Sequence, residues 1–319
     1  MNLNQFRYAL AVAREHNFSR AAQRCHVSQP SLSVAIKNLE EELGIALFER
    51  FKGDVKVTLE GEAVLSRMQQ ALEAVEQVAQ AAKQGQGGLT GEVRMGAIFT
   101  IAPYLFPSFI PQLHQVAPDL TMLLEENFTS LLSEKLKQGA LDLAVVALPF
   151  EEPGITVEPL YDEPFIVGLP NNHPWKGRED LHGNALAEEK LLLLGKGHCF
   201  RDQVLEICPA CHLVEDTSQG MHNIIEGSSL ETIRHMVATG VGITVLPISS
   251  VASLACNALS CPERSHAMLS FAHFAKPMPT RRIALAWRSS YPNEMLLEVV
   301  KQTLQGALPN GVLPISDSA

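Results

Sequence analysis

Residues 18–43 read FSRAAQRCHVSQPSLSVAIKNLEEEL, and this stretch decides the first domain. Ser19 is a candidate N-cap for a short helix over RAAQRC, in which Ala21 and Ala22 leave room for a close neighbour. A turn at His26 and Val27 leads to Ser28, a second candidate cap; Pro30 follows, tolerated where first-turn amides have no partner. The next helix places Leu32, Ile36, Leu39 and Leu43 on a buried stripe and shows Gln29, Ser33 and Lys37 on the other face. Two helices joined by a short turn, the second presenting amides, hydroxyls and a cation, make a helix-turn-helix suited to a major groove.

Upstream, MNLNQFRYALAVAREHNF puts Leu3, Phe6, Leu10 and Ala13 on one face, an amphipathic helix and not the continuous apolar core of a signal peptide. Downstream, GIALFERFKGDVKVTLEG spans residues 44–61. Its Lys52-Gly53-Asp54 turn predicts a β wing between Phe48–Phe51 and Val55–Leu59. The DNA-contacting set expected from this head is Gln29, Pro30, Ser31, Ser33 and Lys37 on the helix, with Arg50 and Lys52 holding phosphates from the wing. The whole chain carries a net charge of −10, yet residues 1–39 hold five cations against the single acid Glu15. That asymmetry fits a DNA-reading head on an acidic body.

From Leu59 to Gln84 the helical pattern is unbroken by proline, and Leu65, Met68, Leu72, Val75, Ala79 and Ala82 alternate by three and four. The seam predicts a dimerisation helix that presents two heads to two half-sites. A glycine-rich hinge occupies residues 85–91. Strands and helices then alternate twice, which predicts parallel βαβ units and an effector domain of two α/β halves resembling periplasmic binding proteins. Ligands in such folds lie in the crevice between halves. The expected divisions are 1–58 for the winged helix-turn-helix head, 59–84 for the linker helix, 85–91 for the hinge, 92–305 for the effector and 306–319 for a tail.

The sharpest chemical signal is HCFRDQVLEICPAC, residues 198–211, with three of the six cysteines. Cys199 stands between His198 and Arg201, and a neighbouring positive charge favours the reactive thiolate. Between Cys199 and Cys208, Phe200, Val204 and Ile207 recur at helical spacing. A helix of that length holds the two Cα atoms roughly 13 Å apart, whereas a disulfide tolerates about 7 Å, so joining them requires unwinding. Other readings of the stretch are inert core thiols, a zinc set drawn from His198, Cys199, Cys208, Cys211 and His212, and a formal haem-attachment match at Cys208–His212. The zinc set lacks a second C-x-x-C, and nothing directs the chain to export, so neither metal nor cofactor is expected. No apolar run approaches ~18 residues, which predicts a cytoplasmic protein without a membrane partner.

FSRAAQRCHVSQPSLSVAIKNLEEELGIALFER, in its order and spacing, resembles the winged head of LysR-type transcription regulators, and the similarity runs over nearly the whole chain. GHCFRDQVLEIC and the later SSLETIRHMVATGVGITVLP are similar to the members of that family that sense hydrogen peroxide. The resemblance implies that Cys199 reacts with peroxide and Cys208 resolves it, in a homotetramer built as a dimer of dimers on double-stranded promoter DNA. It further implies roles near the peroxide for Thr100, Thr129, His198, Asp202 and Arg281, with RNA polymerase and a cellular thiol reductant as partners. Cys211 has no counterpart in the resemblance and reads as a bystander. Cys25, placed in the first helix of the head, and Cys256 and Cys261 read as core or surface thiols. The alternatives are a regulator whose crevice binds a small organic effector, the cysteines being incidental, and a thiol peroxidase or metal-binding protein, for which the head has no use.

Overall fold

The computed structural model describes residues 1–51, 54–84, 89–211, 224–252 and 269–315. Lys52, the first part of the expected hinge, His212, Cys256 and Cys261 lie outside the described residues, as does the side chain of Arg50.

The head consists of α1 (Leu3–Glu15), α2 (Phe18–Arg24), α3 (Gln29–Leu43), β1 (Phe48–Phe51) and β2 (Asp54–Val57). α2 is capped two residues earlier than Ser19 suggested: the Asn17 side chain accepts from the amides of Ser19 and Arg20. Ser28 caps α3 as expected, accepting from the Ser31 amide. Cys25 is not in the first helix but closes α2 as its C-cap. Ala21, Ala22, Leu32, Ile36 and Leu39 are buried together with Leu47 of the approach to the wing. Leu59 does not extend the wing; the Thr58 hydroxyl accepts from the Gly61 amide and starts α4 (Leu59–Gln84) there.

α4 is the long helix expected, but its seam is divided. Leu65 and Met68, read as inter-subunit contacts, are buried in the head's own core, because the first turns of α4 lie against α1. Leu72 is half-buried, and Val75 and Val78 stay exposed, so the face open to a second chain begins further along. Glu73 on the same helix is buried and ion-pairs at 2.5 Å with Arg288 of the effector domain.

The effector has two halves. The first contains β3 (Gly91–Ile98), α5 (Ala102–Val116), β4 (Leu120–Asn127), α6 (Thr129–Lys137) and β5 (Leu143–Ala147). β6 (Ile155–Pro170) then runs through both halves. The second half contains β7 (Leu191–Leu194), α7 (Cys199–Ile207), β8 (Ile224–Gly227), α8 (Leu230–Ala238), β9 (Ile243–Pro247) and β10 (Leu269–His273). The chain returns to the first half in β11 (Thr280–Arg288), α9 (Glu294–Gly306) and the two-residue β12 (Leu313–Pro314).

The sheet is mixed, not purely parallel. β4, β3 and β5 pair in parallel, as do β8, β7 and β9, whereas the returning β11 pairs antiparallel with both β5 and β6. The LAVVA of β5 and LLLL of β7 are buried at every residue, as strands covered on both faces must be. β6 is shared: Ile155–Pro164 pairs with β11, while Phe165–Pro170 pairs with β9 and β10. β12 also pairs with β6, so the expected tail adds an edge strand. Two apolar cores result, one per half.

Candidate functional site: a thiol pocket where two helices begin

In a parallel sheet, strand carboxyl ends and helix amino ends fall on the same side. β3 ends at Ile98, β4 at Asn127 and β7 at Leu194, and the loops after them converge. They enclose a pocket of about 10 Å³ lined by Phe99, Thr100, Phe128, Thr129, His198 and Cys199, among others. A space of this size is at the threshold for a single water-sized particle. Thr129 is the first residue of α6 and Cys199 the first of α7, so two helix amino ends, each with amides lacking intrahelical partners, border the pocket. Gly197 makes the last turn before the thiol at φ +95, a conformation side chains resist, and sets His198 against Phe128.

Two hydroxyls lie in this pocket in different states. Thr100 accepts from the Arg281 guanidinium at 2.7 Å, which leaves its own proton to donate. Thr129 Oγ1 is buried with no hydrogen-bond partner. An unsatisfied buried hydroxyl costs about 1–3 kcal/mol, so it marks a place where a polar ligand is missing from the protein's own set.

Arg281 joins the pocket to the crossing of the two halves. It is 3% exposed and Glu163, its partner across β11 and β6, is 0% exposed. Their ion pair closes at 2.7 Å. Arg281 also donates to the Thr100 carbonyl at 2.9 Å and lies over the Phe200 ring of α7 at 5.0 Å. Glu163 in turn accepts from the Ser249 amide of the second half. The pair therefore touches the pocket, the reactive helix and both halves at once.

The two cations read beside Cys199 do not act as such. His198 is 8% exposed, with ring centroids 5.5 Å from Phe99 and 4.7 Å from Phe128, and this burial pushes its pKa below the ordinary 6.5. The ring is neutral at neutral pH. Arg201 points away, donating to the Leu194 carbonyl and pairing with Glu226 at 3.0 Å. What the fold does place at the sulfur is the start of α7, where backbone amides lack intrahelical partners.

The sign of the His198 effect gives a test. The unfolded ring binds a proton below about pH 6.5 and the folded ring resists it, so this burial contributes fully above that pH and is lost as the pH falls through the folded value. His198→Phe is expected to flatten the acid-side slope of the urea midpoint against pH; an unaltered slope would mean the ring takes its proton in place.

Asp202 is exposed and lies outside the small pocket. It lines a wider cleft of about 790 Å³ between the halves, together with Cys199, Arg281, Arg282 and Lys276. Cys199 is thus half-buried between the small pocket and the wider cleft.

α7 forms as its spacing predicted, burying Phe200 and Val204. Gly183 abuts its last turn: a Cβ there would sit 1.9 Å from the Ile207 carbonyl oxygen. Cys208 caps the helix, fully buried, and is joined by a disulfide to Cys211, their Cα atoms 5.3 Å apart. Bonded to each other, these two cysteines cannot serve the zinc set considered above.

On the head, Gln29, Pro30, Ser31 and Lys37 are exposed at the start and along the outer face of α3, and Ser33 is half-buried. The Ser31 hydroxyl is 2.7 Å from that of Ser28, and Lys37 pairs weakly with Glu41 at 3.5 Å. No helix of the described residues is long and apolar enough to cross a membrane.

Comparison with known proteins matches residues 3–62 to the bacterial regulatory helix-turn-helix protein, lysR family, and residues 86–309 to the LysR substrate binding domain. The chain is 38% identical over 310 residues to the DNA-binding transcriptional dual regulator OxyR of Escherichia coli strain K12, covering 96% of this chain and 97% of that one. It is similar to a full-length cysteine-to-aspartate OxyR variant from Pseudomonas aeruginosa at 42% identity and a TM-score of 0.78, covering 100% and 99% of the two chains. A hydrogen-peroxide-bound cysteine variant of Corynebacterium glutamicum OxyR matches at 36% identity and a TM-score of 0.60, covering 96% and 92%.

Proposed function

The chain belongs to the LysR family of helix-turn-helix transcription regulators, among its OxyR-like members, and from that premise we propose that it is a DNA-bound sensor of hydrogen peroxide. The observation that carries the reading is the buried, unpartnered hydroxyl of Thr129 in a small pocket shared with Cys199. Peroxide bound there accepts from Thr100 and is held by Thr129 while the Cys199 thiolate attacks one oxygen. The O–O bond breaks, hydroxide leaves and is protonated to water, and Cys199 becomes a sulfenic acid. The Cys208 thiol then attacks that sulfur, a second water leaves, and a disulfide joins the two. α7 must unwind for this, which withdraws Phe200 from Arg281 and shifts one half against the other. Arg288 and Glu73 pass the shift to α4 and the heads.

In this reading the chain works as a homotetramer, a dimer of dimers, on promoter DNA. It turns on antioxidant genes through RNA polymerase and is reset by a cellular thiol reductant. Gln29, Ser31 and Ser33 read base edges, and Lys37, Arg50 and Lys52 hold phosphates. The thiol is spent in signalling and not turned over, so the chain is not an enzyme.

The deciding experiment treats reduced protein with one equivalent of peroxide, traps sulfenic acid, and footprints promoter DNA. Wild type should be trapped at Cys199 and shift its footprint; Cys199→Ser should do neither. Thr129→Val, which keeps the shape and drops the hydroxyl, should slow Cys199 oxidation by ~tenfold while leaving stability unchanged or raised by about 1 kcal/mol. A Val variant that reacted at the wild-type rate would remove Thr129 from the pocket's chemistry.

The cleft of about 790 Å³ favours one other reading, a regulator that binds a small organic effector there. In that case Cys199→Ser would respond to a metabolite as wild type does.

A further inference from the structure

We propose that Cys211 is a second resolving thiol, which takes the disulfide from Cys199 and ends the signal without an external reductant. This rests on the peroxide-thiol reading above. Cys208 is placed between two partners of very different cost. Its bond to Cys199 forms only if the nine-residue α7 unwinds, because the intact helix holds the two Cα atoms roughly 13 Å apart. Its bond to Cys211, at a Cα separation of 5.3 Å, is present while α7 is whole. Cys208 and Cys211 are 0% and 2% exposed in the core of the second half, whereas Cys199 packs against the core of the first. The second bond therefore keeps both cores and the helix intact, and the first does not.

The exchange is direct. The Cys211 thiolate attacks Sγ of Cys208, the bond between Cys199 and Cys208 breaks, and Cys199 leaves as a thiolate that regains the proton lost by Cys211. The departing sulfur returns to the amino end of α7, where a negative charge is stabilised as the helix re-forms. Over the whole sequence one hydrogen peroxide is reduced to two waters, and Cys208 and Cys211 are oxidised to the disulfide. Cys199 ends reduced, in the arrangement it had before the peroxide arrived. The protein is then silent but spent, and only a dithiol reductant acting on Cys208–Cys211 rearms it.

The test follows full-length reduced protein after one equivalent of hydrogen peroxide, quenching with acid and alkylating agent over time and mapping peptides without reductant. Wild type should show a Cys199–Cys208 peptide that rises and decays as Cys208–Cys211 grows and Cys199 becomes alkylatable again, with the DNA footprint reverting in step. In Cys211→Ser, and in Cys211→Ala as an apolar filler of the same site, the Cys199–Cys208 species should persist about tenfold longer or more, since no nearby thiol competes for Cys208. Cys199→Ser should form Cys208–Cys211 far more slowly than wild type. The relay is overturned, and the sensor reading kept, if wild type holds Cys199–Cys208 to the end with Cys211 free, or if Cys199→Ser forms Cys208–Cys211 as fast as wild type while Cys199 is still oxidised in wild type. Absence of any oxidised Cys199 in every variant overturns both.

Discussion

Replacing Arg281 with Ala is expected to destabilise the effector domain by about 3–5 kcal/mol, as removal of one member of a buried ion pair does. Glu163 would remain at 0% exposure with its charge uncompensated, holding only the Ser249 amide among its present partners. Thr100 would lose both bonds that orient it, so oxidation of Cys199 should also slow by about tenfold or more. Lys at this position cannot supply two donors to Thr100 and a third to Glu163, because an ammonium lacks the planar fork, and should rescue charge but not rate. The pair matters by position more than by net energy. Arg281→Met combined with Glu163→Leu should therefore recover much of the stability and none of the peroxide rate. Urea unfolding of the two single variants and the double, with oxidation kinetics on each, checks this; additive losses in the double would show that the two side chains act independently.

Glu73→Ala is the second large effect, and its signature is separation of chemistry from output. Glu73 is 3% exposed and contacts Arg288 and Ser290 of the effector. Arg288 keeps the carbonyls of Leu136 and Leu141 and has Asp142 at 3.6 Å, so the loss should be smaller than at Arg281, about 2–3 kcal/mol. Cys199 lies in another part of the domain and should be oxidised at the wild-type rate. The footprint on DNA should no longer respond to that oxidation, and protease should cut more readily between α4 and β3. Retention of the peroxide-dependent footprint would show that the shift reaches the heads by another route.

The head was legible because its signals are local. Ser28 and Pro30 mark the start of α3, and the stripe of Leu32, Ile36 and Leu39 fixes its buried face. The cap at Asn17 was missed in favour of Ser19 since both residue types can cap and only the backbone chooses. The seam of α4 was half misread for a related reason: a heptad pattern states which face is covered and not which chain covers it, and Leu65 and Met68 serve the head. In the effector domain, α7 and Cys199 were readable from spacing, but the electrostatics were not. His198 reads as a cation until Phe99 and Phe128, about 100 and 70 residues earlier in the chain, close around it. Glu163 was missed entirely. Its trace in the sequence is an acid inside a strand whose following residues, Phe165 to Leu169, are all buried, and such a charge requires a partner. Long-range pairing of this kind has no periodicity to read.

β6 has a mechanical consequence. It crosses between the halves without a loop, and the return crossing lies beside it, tied by the Phe165 amide to the Pro279 carbonyl at 3.0 Å. Two strands laced together resist folding like a clamshell, because that would tear rungs from the ladder. They yield more readily to rotation about their length, the direction in which strands already twist. Any work done at α7 should therefore leave the domain as torque, turning one half about the β6 axis, and the quantity that reaches the linker helix is an angle, not a gap.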